Sequence, residues 1–255
     1  MDAPAALMLF AAGLAGGVVT AVVGGASLIT FPAMLAAGLP AIVANASNTV
    51  ALTPANLVAA LADLERRPRW DGAFAGLAAV SVAGSVLGAV LLLLTPDKAF
   101  TTLVPVLIGI ATILFAASGR IRLWIACRPA GATREASRTG LGTLLFVPVA
   151  VYGGYFGAGM SVLILALLAV SRGGEFRANN VIKNLLSGLT SLVAVAVFVH
   201  QGVVAWPPAM VVMAGGLLGG FAGGRLVRVL PEDLVRSIVV TVGTVLTVLY
   251  AWRYW

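Results

Sequence analysis

The chain has 255 residues, 60 % of them hydrophobic and only 10 % charged, with a mean hydropathy of +1.06. This composition excludes a soluble globular domain. Its net charge of +7 is scattered over short polar stretches, with no basic helix or aromatic-interleaved patch, so no nucleic-acid partner is expected.

A bilayer core about 30 Å thick needs about 20 apolar residues per helical span. Such runs recur along the chain, without the two-residue alternation of a membrane barrel. In chain order the apolar segments are 4–22, 26–37, 43–62, 72–94 and 99–117, then 140–156, 159–170, 178–199, 207–227 and 234–252. The opening MDAPAALMLFAAGLAGG carries Asp2 in place of a basic signal-peptide start, and reads as a retained first segment. Cys127 is the only cysteine, which excludes an internal disulfide and a CxxC pair.

Five segments therefore occur twice. Asn48 matches Asn184, Trp70 matches Trp206, Gly84 matches Gly220 and Gly88 matches Gly224, all at one offset, and VGGAS ending at Ser27 mirrors GAGMS ending at Ser161. The expected organisation is a first repeat over 1–118, a basic cytoplasmic linker over 119–139 and a second repeat over 140–255. Each repeat opens with two segments broken at glycines, Gly24 and Gly25 or Gly157 and Gly159. The short second segments favour a re-entrant hairpin over two full spans. Three further spans per unit give an odd number of crossings, so the second repeat is inverted. Inversion places 13 of the 16 lysines and arginines on the cytoplasmic side, including Arg66, Arg67, Arg69, Arg128, Arg134, Arg138, Arg172 and Arg228, and both termini outside. The fold class is an all-α polytopic membrane protein of two inverted repeats, each a glycine-broken hairpin followed by three transmembrane helices.

Polar residues interrupt the apolar pattern at matching places. Ser27 and Ser161 follow the glycine breaks, at the starts of short helices whose N–H groups and dipole ends suit an anion. Small-residue helix packing is the competing reading for these serines and glycines. After each short helix comes a cluster: Asn45, Asn48 and Thr49 in NASNT, and Asn179, Asn180, Lys183 and Asn184 in NNVIKN. Asn45 and Asn179 also suit helix N-caps. Asn48 and Asn184 lie a turn further in, where capping is unavailable, and are expected to face one central cavity. Lys183 is the only ionisable residue well inside a predicted span. It serves either as the counter-charge of an anion or as a side chain snorkelling to the headgroups.

No carboxylate lies at membrane depth, so the acidic relay of many proton-driven pumps is missing. His200, the only histidine, stands at a span end and reads as interfacial. No HExxH motif, phosphate-binding loop or intramembrane catalytic triad occurs, so neither an enzyme nor a metal or other cofactor is expected.

The stretches GGASLITFPAMLAAGLP and NASNTVAL in the first half, and YGGYFGAGMSVLILALL and NNVIKNLLS in the second, resemble the TauE/SafE family of sulfite exporters and related anion permeases. GGLLGGFAGGRLVRVLP is similar to the family as well. The resemblance implies a carrier in the bacterial cytoplasmic membrane that exports a small sulfur-containing anion, such as sulfite or an organosulfonate like sulfoacetate. An anion channel, or a permease for another small anion, is the alternative. The expected partners are that anion and membrane lipid, with a homo-oligomer open.

Overall fold

The computed structural model describes residues 1–22, 25–61, 72–126, 141–171, 176–226 and 232–255. These form ten helices and no strand: α1 (Ala3–Val22), α2 (Ser27–Ala36), α3 (Ala41–Leu61), α4 (Gly72–Leu94), α5 (Asp97–Ala126), α6 (Leu141–Tyr155), α7 (Met160–Ser171), α8 (Phe176–His200), α9 (Trp206–Leu226) and α10 (Glu232–Tyr254). Gly24, Trp70 and the arginines at 66, 67, 69, 128, 134, 138, 172 and 228 lie outside the described residues. The helices follow the ten apolar segments closely, with one exception. α5 runs on to Ala126, past the predicted end at 117, and takes in Arg120. Charges lower the hydropathy of IRLWIA, but arginine is a good helix former and no proline interrupts the run before Pro129.

Six helices, α1, α4, α5, α8, α9 and α10, are long and apolar enough to cross a membrane. α3 has the length, at 21 residues, but carries an asparagine cluster. At 1.5 Å per residue, α2 with 10 residues and α7 with 12 extend only about 15–18 Å, roughly half a bilayer core. The chain turns before each of them through glycines in the left-handed region, Gly25 at φ 93°, Gly157 at 74° and Gly159 at 78°. Residues with a Cβ adopt such angles at a steric penalty.

Two glycine seams join the halves of the chain. A Cβ added at Gly13, Gly17 or Gly219 would overlap backbone across the α1–α9 contact, while Gly88 and Gly154 do the same between α4 and α6, where a Cβ at Gly84 would overlap that of Ala150. Small residues let helix backbones approach where lipid offers no hydrophobic drive to association. Both seams are parallel: Phe10 meets Gly215 and Leu14 meets Gly219, as Gly84 meets Ala150 and Gly88 meets Gly154. By contrast α5 runs antiparallel to α10, with Thr102 beside Trp255, Gly109 beside Thr247 and Gly119 beside Arg236. α3 is antiparallel to α8, since Asn56 bonds Ser191 while Ser47, nine residues earlier, accepts from Ala205 just past the end of α8. The outer faces are apolar: Val86 and Leu87 on α4, Ile113 on α5, and Ile238, Val245 and Trp252 on α10 are exposed. Lipid is the medium that suits such a surface.

Candidate functional site

The tips of the two glycine-broken hairpins meet at the middle of α5. The Phe115 ring covers Gly25, so that a Cβ there would stand 2.6 Å from it, and Gly159 packs against Ala111 and Leu114. Three side chains hold the tips. Tyr152 Oη donates to the Ala158 carbonyl at 2.6 Å, closing the α6–α7 turn. Asn45 Nδ2 donates to the Tyr155 carbonyl at 2.9 Å, which occupies an acceptor that the broken end of α6 leaves without an intrahelical partner. Thr30 Oγ1 donates to Asn48 Oδ1, tying α2 to α3. The NASN cluster thus grips one hairpin with each of two asparagines.

Against these tips lies a cavity of about 380 Å³, within the range of roughly 300–1,000 Å³ typical of small-molecule sites. Six of the predicted substrate-binding residues line it, Ser27, Thr49, Ser161, Asn180, Lys183 and Asn184, together with the helix-break glycines Gly25, Gly157 and Gly159. Ser27 begins α2, and Ser161 is the second residue of α7, so both half-helices present their positive dipole ends there. Lys183 is the eighth residue of α8, about 10 Å along its axis. Its ammonium donates to Asn180 Oδ1, one turn earlier, at 2.8 Å. Among the described residues on the wall it is the only ionisable group, and the rest of the polar lining consists of hydroxyls and amides. Phe115, Phe156, Met160 and Leu165 supply an apolar part. Such a pocket can hold a small anion by one charge and several directional donors, with room for an apolar substituent.

Asn45, Asn48 and Asn179 do not line this cavity. The expectation that Asn48 and Asn184 share it is corrected: Asn184 is on the wall, whereas Asn48 is 2 % exposed and engaged by Thr30. Nor do Asn45 and Asn179 cap helices, because α3 starts at Ala41 and α8 at Phe176. Asn179 is buried within α8. The sequence reading omitted Thr20, Asn56, Ser118, Ser187 and Ser191, which also line the cavity. Asn56 stands two turns after Thr49, and Ser187 and Ser191 continue the helical row of Asn180 and Asn184, so spacing would have found these three. Cross-cavity bonds join them: Asn56 Nδ2 donates to Ser191 Oγ at 3.2 Å, and Ser161 and Ser187 hydroxyls lie 3.3 Å apart. No group of metal-ligating side chains is found among the described residues.

A multi-pass helical bundle with broken half-helices around a polar, cationic pocket is the architecture of a membrane transporter. The family model for the sulfite exporter TauE/SafE family matches residues 9–250, and the chain belongs to that family of membrane transporters. It is 27 % identical over 244 residues to a "Probable membrane transporter protein" of Haemophilus influenzae, covering 94 % of this chain and 92 % of that one. A Sinorhizobium sp protein, "Probable membrane transporter protein ORF9", is 28 % identical over 94 % of this chain and 90 % of its own length. "Probable membrane transporter protein YfcA" of Escherichia coli K12 is 26 % identical over 94 % and 87 %. No solved structure matches the chain at a significant level.

Proposed function

We propose that the chain is a secondary transporter that exports a small sulfur-containing anion, sulfite or an organosulfonate such as sulfoacetate, across the bacterial cytoplasmic membrane. The carrying observation is the cavity wall, where Lys183 is the one ionisable group among the described residues and hydroxyls, amides and two half-helix N-termini surround it. Sulfonates and sulfite present three oxygens on one centre, and several convergent donors meet such a group better than a point charge alone. Ser27, Thr49, Ser161, Asn180, Lys183 and Asn184 contact the anion in this reading, while Asn45 and Asn48 position the hairpins.

The inverted-repeat organisation belongs to the same proposal, with units at 1–118 and 140–255 and both termini outside. Its support is that the repeat counterparts α3 and α8 run antiparallel, as do α5 and α10, the relation that inversion requires. The matched seams, α1 on α9 and α6 on α4, exchange in the same way.

Counterflow in proteoliposomes tests the function. External sulfite or sulfoacetate is expected to accelerate release of labelled internal substrate, and sulfate or chloride is not. Flux without countertransport would assign a channel, and acceleration by every small anion would remove the sulfur-anion specificity.

A further inference from the structure

We propose that the cavity is a vestibule open toward one face only, and that Phe31, packed edge-on against Phe156, is the gate that seals the opposite exit. The inference deepens the transport reading and takes its meaning from it, but rests on where the lining residues lie.

The hairpin tips set a level at Ala111–Phe115 on α5. From that level the cavity follows α5 toward its C-terminus, through Ser118 and Ile121. Ile121 packs beside Leu165 and Ala169, so α5 and α7 run toward the same face. The cavity residues of α3, such as Asn56, lie toward its C-terminus, and those of α8, such as Asn180, toward its N-terminus. With α3 and α8 antiparallel, these ends share that face as well.

On the other side of the tips the space is filled. Phe156 lies at the cavity wall, and behind it Phe31, 1 % exposed, meets its ring edge-on at 5.3 Å between centroids. Phe100, Val104 and Ile108, from the N-terminal half of α5, and Phe198, near the end of α8, belong to the same core and are essentially inaccessible. The polar row on α8 ends accordingly: Asn180, Asn184, Ser187 and Ser191 line the cavity, and the row continues as buried Ala194 and Phe198. An anion entering from the open face therefore finds donors as far as Ser191 and then meets aromatic carbon.

The duplicated sequence identifies which residue makes the difference. Four residues after Ser161 stands Leu165, which at 5 % exposure still lines the cavity, and four residues after Ser27 stands Phe31, which is 1 % exposed and does not. The larger side chain fills on its side the place that the smaller one leaves open on the other. Access to the opposite face then requires Phe31 and Phe156 to part, a population shift of the kind that moves a carrier between its two states.

Access is read by an impermeant thiol reagent on Ser191→Cys in a Cys127→Ala background, in vesicles of both orientations. Leu123→Cys, near the end of α5, and Gln201→Cys, in the exposed turn after α8, mark the two faces. Ser191→Cys is expected to react much faster from the Leu123 side than from the Gln201 side, and adding Phe31→Ala is expected to raise the Gln201-side rate toward the Leu123-side one. Equal rates from the two sides with Phe31 intact overturn the proposal, as does an unchanged Gln201-side rate in a correctly inserted Phe31→Ala protein. Should Phe31→Ala fail to insert, Leu165→Phe is expected to slow labelling from the Leu123 side, and an unchanged rate there overturns the size argument. Flux in the same vesicles separates the two readings. Faster access from the Leu123 side without transport would remove the transport function and leave the gate, whereas transport with equal access rates from both sides would remove the gate alone.

Discussion

Lys183 reaches the cavity because helical spacing puts it one turn beyond Asn180, whose Oδ1 accepts from its ammonium at 2.8 Å. That neutral amide orients the ammonium at the cavity wall. A hydrogen bond to a charged group is worth about 1.5–3 kcal/mol, so Lys183→Ala is expected to weaken anion affinity by about 10- to 150-fold. Isothermal titration of the purified protein measures it. Lys183→Arg, which keeps the charge but replaces a compact ammonium by a planar fork, is expected to fall between. Asn180→Asp is expected to weaken binding toward the Lys183→Ala value, because a carboxylate beside the ammonium competes with the substrate. Lys183, Asn184, Ser27 and Ser161 were legible in the sequence, since a polar group in an apolar run demands a partner or a cavity. The choice between those two was not legible. Asn45 and Asn48 carry the same signal, yet one bonds a hairpin backbone carbonyl and the other a threonine.

Among the elements, the half-helices depend on the seams that hold them. α6 packs on α4 through Gly84, Gly88 and Gly154, and an added Cβ at Gly88 or Gly154 would run into backbone rather than into a movable side chain. Overpacking of this kind costs about 1–3 kcal/mol, so Gly88→Ala is expected to lower the thermal midpoint in detergent, while Gly72→Ala, with nothing within 4 Å of the added methyl, leaves it unchanged or slightly higher. An unchanged midpoint for Gly88→Ala would mean that α4 and α6 slide apart without penalty. The helices themselves were readable because apolar runs ending at glycine, proline or charge leave little choice of boundary. The α5 end was not readable, because hydropathy records charge whereas a helix stops for backbone reasons. Both glycine seams were visible as small-residue patterns, but which helix each one faces depends on packing between chain halves, and only Gly84 with Gly220 and Gly88 with Gly224 hinted at it through the repeat.

For the whole molecule, the proposed export of an anion makes the membrane potential a driving force. The described cavity wall carries one lysine and no carboxylate, so on that reading no acidic group there exchanges a proton for the anion. Movement of a monoanion outward then carries net charge. An interior-negative potential favours that movement by roughly 2.3 kcal/mol per 100 mV, equivalent to about a 50-fold concentration ratio. A permanently monoanionic sulfonate removes titration of the substrate from the experiment. In proteoliposomes holding that sulfonate at equal pH and equal concentration on both sides, a potassium diffusion potential negative inside is expected to drive net efflux toward that ratio, and reversing the potential is expected to drive uptake. A pH gradient at zero potential is expected to drive neither. Net movement under the pH gradient with no response to potential would establish electroneutral coupling to protons and require a titrating group beyond the wall described here. Lys183→Ala should slow the potential-driven flux without altering its direction, because the side chain sets affinity while the field acts on the charge of the anion itself.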